Sequence, residues 1–412
     1  MRIATRFIRP PRPVWRSLLS ASLAVGAMHA HAAIPASERA VLLALYAQAG
    51  GSGWTDHAGW GGAAGTECTW HRVICDAAGD HVVQLALTSN HLSGTLPPLA
   101  ALIRLRIANF DSNDLGGSIP ALAGLAELES FGVEANHMTG SIPPLAGLTH
   151  LTHFSAAYND LSGPIPPLAG LTQLQQFFVL QNRLSGPMPA LTGLTHLSIF
   201  NASDNQLDAF GDVSGLANLT YLRVERNRIA GPIPSLAGLS NLLLFVADDN
   251  RIEGPLPDLS DLVHLSGLVL DHNAITGPLP PLGGLAALND VVLDHNAMSG
   301  PIPDPPAPNH LVAGISTLCP NGFTPSTHPA TNAAWNSATG LSPWNADCDP
   351  DRIFRDGFDG DWAERGERRR RGRVIRRRRI RPRRSRRTGR RMPCRRDRIP
   401  AAVRTMASPA NR

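Results

Sequence analysis

Lysine is missing from this sequence altogether: all 38 of its basic side chains are arginine. Tyrosine occurs 3 times and cysteine 5 times in 412 residues, and aromatic residues make up only 5%. Also missing are a Gly-rich phosphate loop, a nucleophile elbow, a His-Glu-x-x-His pair and a kinase signature, so the common hydrolytic and phosphoryl-transfer chemistries lack their residues. No stretch is long and apolar enough to be a transmembrane helix. An odd number of cysteines leaves one thiol over once pairs are made. These absences point away from an enzyme and from a spanning protein, and no cofactor is expected.

What the chain has instead is repetition. Asn90, Asn113, Asn136, Asn159, Asn182, Asn205, Asn227, Asn250, Asn273 and Asn296 recur at every twenty-third position, except that the step from Asn205 to Asn227 is one position shorter. Two positions after each stands an aliphatic residue or Met, and eight positions before each stands Val82 or a leucine. A fixed period of this length marks a leucine-rich repeat solenoid of stacked coils. The half-repeat before each Asn, such as "LTHFSAAYN" from Leu151, alternates inward and outward residues as a short strand does. Stacked copies make a parallel sheet in which Phe131, Phe154, Phe177, Phe200 and Phe245 point inward as a column. The Asn side chain, with both a donor and acceptor, suits the buried corner where the chain turns. The other half, "SGPIPPLAGL", is too rich in Gly and Pro for a helix, so extended or short 3₁₀ backs are expected. One back, "LDAFGDVSGL" from Leu207, has no proline and is one residue short, which predicts a local irregularity.

The Ser/Thr-Gly-x-Ile-Pro pattern before Leu-x-x-Leu resembles the plant-type leucine-rich repeat family over residues 82–303. Ahead of the repeats, "PASERAVLLALYAQAGG" reads as a helix with Ser37 as its N-cap and glycines as its stop. The stretch that follows, with Trp54, Trp60, Cys68, Trp70 and Cys75, is similar to the N-terminal cap of the same family, although the family pattern has Gly where Arg72 stands. That resemblance implies a disulfide between Cys68 and Cys75. After the repeats, Leu318 to Cys348 reads as a loop-rich C-terminal cap with Cys319 paired to Cys348, since neither pair has zinc-like spacing. Disulfides require an oxidising compartment. The N-terminus supplies a route out: five arginines, the apolar "SLLSASLAVGAM" and an Ala30-His31-Ala32 cleavage signal. The expectation is an exported bacterial protein, secreted or held in the cell envelope.

The expected organisation is a signal peptide at 1–32, an N-terminal cap at 33–81, ten repeats at 82–303, a C-terminal cap at 304–350, a short terminal motif at 351–364 and a disordered arginine-rich tail at 365–412. The tail holds 22 Arg against Glu367 and Asp397, whereas residues 33–364 hold 11 Arg against 31 acids. The motif "DRIFRDGFDGDW" resembles the Ile-Phe-x-Asp-Gly-Phe endings of some secreted bacterial proteins. The tail therefore has two readings, a polyanion-binding segment acting through charge alone, or a processed or out-of-frame extension.

Family resemblance implies that the concave face binds a protein, a peptide or a glycan. Counting outward positions nominates His153, Tyr158, Gln176, Phe178, Leu180, Gln181, Tyr221, Arg223 and Arg226, where large apolar and aromatic side chains lie among polar ones. Asp271, His272, Asp294 and His295 recur on neighbouring strands at a spacing that could hold a divalent metal. A solvated acidic stripe is the plainer reading of those four, and it is the one preferred from sequence.

Overall fold

The computed structural model describes residues 34–346 and Cys348. The signal segment, the motif at 351–364, the tail at 365–412 and Cys394 lie outside the described residues.

The repeat period is the register of the fold. Phe131 pairs with Phe154, Phe154 with Phe177 and Phe177 with Phe200, so each repeat returns the chain to the same point one strand along. Eleven strands form this inner sheet, the first of which (Val73–Cys75) runs antiparallel to Val82–Ala86 and all the others parallel. The strands are three to five residues long, because each must turn at its Asn corner.

The extended backs do more than return. From Ser162–Gly163 to Gly322–Thr324 they pair into a second sheet of eight strands. The irregular back falls where the missing residue put it: pairing shifts between Gly186 and Pro187, and only Ala209↔Ala230 joins that back to the next one.

Between the two sheets lies one continuous apolar core. The leucine eight positions before each Asn and the aliphatic residue two positions after it are buried in every coil. Phe131, Phe154, Phe177 and Phe200 stack with centroids 5.8, 5.2 and 5.6 Å apart. The fifth phenylalanine does not join them. Leu222 occupies the place between Phe200 and Phe245, and Phe245 packs at 6.4 Å against Phe210 of the irregular back instead.

Each Asn closes its corner. The Asn182 Oδ1 accepts from the Leu161 N–H at 3.0 Å, and its amide donates to the carbonyls of Ala156 and Val179 at 2.9 and 3.1 Å. The ladder extends one rung past the ten counted by spacing. Asn321, set two positions beyond the place the period assigns after Asn296, accepts from the Met298 N–H and donates to the carbonyls of Leu293 and Leu318.

Both ends are closed. Helix α1 (Ala36–Gln48) starts directly after Pro35 with no side-chain cap bond. Ser37 therefore lies inside the first turn and is not the cap; Pro35, with φ fixed by its ring, makes the transition first. Glu38 is buried and accepts from the Val82 N–H, with His81 at 2.6 Å, so the helix is tied to the first coil. Arg72 takes φ 63°, a left-handed conformation that explains why glycine suits this place. The C-terminal cap is less loop-like than its composition suggests. It carries helix α2 (Pro329–Thr339), with Pro at its first turn and Gly340 left-handed behind it. Trp335 of this helix and Trp344 beyond it are fully buried. Cys68–Cys75 and Cys319–Cys348 are both bonded.

Candidate ligand-binding face

The inner sheet presents three rows of outward side chains, two residues apart along each strand, and a fourth set at the corner just before each Asn. That corner was not legible from composition. Ten consecutive corner residues, among them Tyr158, Gln181 and Arg226 at φ 56°, 52° and 54°, adopt the left-handed conformation although none is glycine. The strain of such a residue is about 1–2 kcal/mol, and the neighbouring Asn holds it by bonding the flanking backbone groups.

The nominated residues fall on these rows as follows. His153, Gln176 and Tyr221 share the first row, with Ile199 between the last two. Phe178 stands in the second row between Ser155 and Asn201, with Arg223 beyond Asn201. Leu180 lies further along the Phe178 strand, and both side chains are half-buried while Phe177 is fully buried.

His153, Gln176 and Phe178 come together in a shallow open cleft of about 200 Å³. Tyr221, Arg223 and Arg226 lie on a coil two strands past Gln176 and do not line it. The other wall of the cleft holds residues that outward counting had passed over: Asn109, Asp111, Ser130 and Glu134. Gly132 makes this wall, since a Cβ there would come within 2.7 Å of an Asp111 carboxylate oxygen. The signal was a glycine at an outward strand position.

Charge on the face is uneven. Burial, with the Glu134 charge beside it, pushes the Asp111 carboxyl up to about 6, against the pull of the Glu134 N–H that donates to it at 2.6 Å. Burial also lowers the His153 imidazole. The two nominated arginines are already committed: Arg223 to Glu225, and Arg226 to both oxygens of Asp204 at 2.6 and 2.7 Å. Beyond them, Asp248, Asp271 and Asp294 occupy one row on successive coils, and Val246, Val269 and Val292 the row beside it. Burial, and then mutual repulsion, raises Asp248 and Asp271. Asp294 stays low in spite of burial because His295 and Thr317 donate to it. Asp290 is pushed up to about 7 by burial and by Asp271, and its Oδ1 is buried with no partner.

Solved structures share this fold. The ectodomain of the Arabidopsis thaliana membrane receptor kinase GASSHO1/SCHENGEN3, solved with CASPARIAN STRIP INTEGRITY FACTOR 2, superimposes with a TM-score of 0.54 and 27% identity, over 66% of this chain and 40% of that one. The fold is a leucine-rich repeat solenoid. A TDR receptor matches with a TM-score of 0.50 and 28% identity, over 58% of this chain and 43% of that one. The repeat chain therefore spans less than half the length of either receptor structure. A plant ice-binding protein, 24% identical, shares the fold over 72% of this chain and 99% of its own, with a TM-score of 0.53. No protein-family profile matches the chain, and a search of curated proteins found no match. No helix among the described residues is long and apolar enough to cross a membrane.

Proposed function

We propose that this chain is an exported, non-enzymatic recognition protein that binds an extended polypeptide along the concave face of its solenoid. The observation that carries the reading is the half-exposed pair Phe178 and Leu180, beside a cleft and on the same sheet as an acidic row. Large apolar side chains on a concave face, rimmed by polar groups, are the usual anchors of a bound chain. The rows of Asp248, Asp271 and Asp294 favour a ligand with basic residues at one end, because long-range attraction steers opposite charge onto such a surface. The likeness to a receptor ectodomain solved with a bound partner supports a binding role. The two disulfides support export, since such bonds persist only in oxidising compartments.

The test separates face from core. A random peptide library displayed on phage and panned on the wild-type protein should yield binders combining apolar and basic residues. Phe178→Ser with Leu180→Ser should weaken those binders by at least tenfold while leaving the melting temperature within a degree or two, as removal of a central anchor does. Phe177→Ser should do the reverse and cost several kcal/mol through a cavity and a buried hydroxyl. Binders indifferent to the outward pair, or glycan arrays giving the only hits, would sink the polypeptide reading.

A further inference from the structure

At the C-terminal end of the concave face the chain writes Asp-His twice, as Asp271-His272 and Asp294-His295, one repeat period apart and therefore on adjacent coils. The two imidazoles stack with centroids 4.2 Å apart and planes 12° from parallel. Each ring is held by the aspartate before it: His272 Nδ1 lies 2.9 Å from Asp271 Oδ2, and His295 Nδ1 lies 2.8 Å from Asp294 Oδ2. A carboxylate on Nδ1 fixes the ring as the Nδ1–H tautomer and leaves the Nε2 lone pair free. Metal-binding histidines are oriented in this way. His272, Asp294 and His295 each offer a donor atom, and these atoms all lie within 4.8 Å of one another.

We propose that His272, His295 and Asp294 bind one divalent transition-metal ion of the zinc type, with Asp294 exchanging its hydrogen bond to His295 for the metal and Asp271 positioning the His272 ring. Bonds of about 2.0–2.1 Å to a tetrahedral ion require donors about 3.3 Å apart, so the imidazoles must tilt toward each other by roughly an ångström at their tips. Nothing obstructs that, because both side chains are about two-fifths exposed, at 39% and 41%. Two nitrogens and one carboxylate suit a borderline ion such as Zn²⁺ and leave open positions, whereas Ca²⁺ and Mg²⁺ prefer sites built from oxygen alone.

The electrostatics of the same coils favour a cation independently of the imidazoles. Asp248, Asp249 and Asp290 add carboxylates around the pair, and Arg223 and Arg226 on the same face are bound to Glu225 and Asp204. Asp290 keeps a buried carboxylate oxygen without any partner. A solvated acidic stripe explains the aspartates but not two stacked histidines with a carboxylate within reach of both. The proposal does not rest on the peptide-binding reading.

His272 and His295 sit at left-handed corners, at φ 54° and 55°, which dictates the test. Asparagine tolerates that conformation and keeps a donor for the aspartate, but has no atom in the place of Nε2. Isothermal titration of the full chain with ZnCl₂ should show a micromolar or tighter site that weakens at least tenfold in His272→Asn and in His295→Asn. Asp271→Asn should weaken it about tenfold. The metal-free melting temperatures should match wild type, which certifies the variants as folded. CaCl₂ at the same concentration should bind far more weakly. Zinc binding that survives both histidine substitutions, no zinc binding by the wild type, or equal calcium and zinc affinities insensitive to the histidines would each overturn the site.

Discussion

Asp111 shows how one residue can carry a cost that the rest of the fold absorbs. Its carboxyl, ordinarily near 3.8, is raised to about 6 by burial and by the charge of Glu134. Between those two values the native protein holds a proton that the unfolded chain has released, so stability rises as pH falls through 6 and levels off below 3.8. Above pH 6 the ionised carboxylate is a destabilising feature, worth at most about 3 kcal/mol for a shift of this size. Asp111→Asn remains neutral and can still accept from the Glu134 N–H. It should therefore raise the melting temperature at pH 7.5, and the gain should shrink below pH 6 and vanish near pH 4. A gain that did not depend on pH would mean that packing, not charge, limits this site.

A single coil is held by one side chain more than by any strand. Its strand is often only three residues long, so few ladder bonds define it. Asn182 ties its own corner carbonyl at Val179 to Ala156 and Leu161 of the preceding coil. Asn182→Ala would leave the buried Leu161 N–H without a partner, worth about 1–3 kcal/mol, whereas the Ala156 and Val179 carbonyls keep the amides of Asn159 and Asn205. It would also release the strain of Gln181 at φ 52°. Denaturant unfolding should show a loss of about 1–3 kcal/mol, and hydrogen exchange should place the weakened amides in the coils of Asn159 and Asn182. A loss below about 1 kcal/mol would mean that water replaces the amide at this corner.

Across the whole molecule, stability is a chain of nearest-neighbour contacts closed by two caps. The N-terminal cap buries Trp54, Trp60 and Trp70 and is stapled by Cys68–Cys75; the C-terminal cap buries Trp335 and Trp344 and is stapled by Cys319–Cys348. With separations of 7 and 29 residues, loop-closure entropy gives about 2.5 and about 3.5 kcal/mol for the two bonds. Replacing both cysteines of a pair by serine should therefore cost more at the C-terminal end. Calorimetry should also show that cap unfolding ahead of the central coils once its bond is removed, because it has a neighbouring coil on one side only. Equal effects of the two replacements would contradict the ranking by loop length.

Most of the architecture was written in the sequence, because a constant repeat period is also a register. Once Asn159 and Asn182 are aligned, Phe154 must pair with Phe177, and alternation must turn Phe178 outward when Phe177 turns inward. The proline-poor back announced its own irregularity, and the cysteines their pairs. Lateral relations between coils were not legible. Gly132 yields space to Asp111 from a different strand, Leu222 interrupts the phenylalanine stack in the short coil, and Asn321 escapes a count by spacing because its coil is two positions longer than the rest. The left-handed corners were hidden for another reason: they are occupied by Tyr, Gln, Arg and His, and a conformation imposed by a neighbour's hydrogen bonds leaves no mark on composition. Sequence alone thus determined which residues face the core and which face the concave surface, since that follows from local period. Only the tertiary structure decided which outward residues are free to bind. Arg223 and Arg226 are neutralised, whereas His272 and His295 stack side by side on adjacent coils, because pairing across coils depends on distances that no one-dimensional period contains.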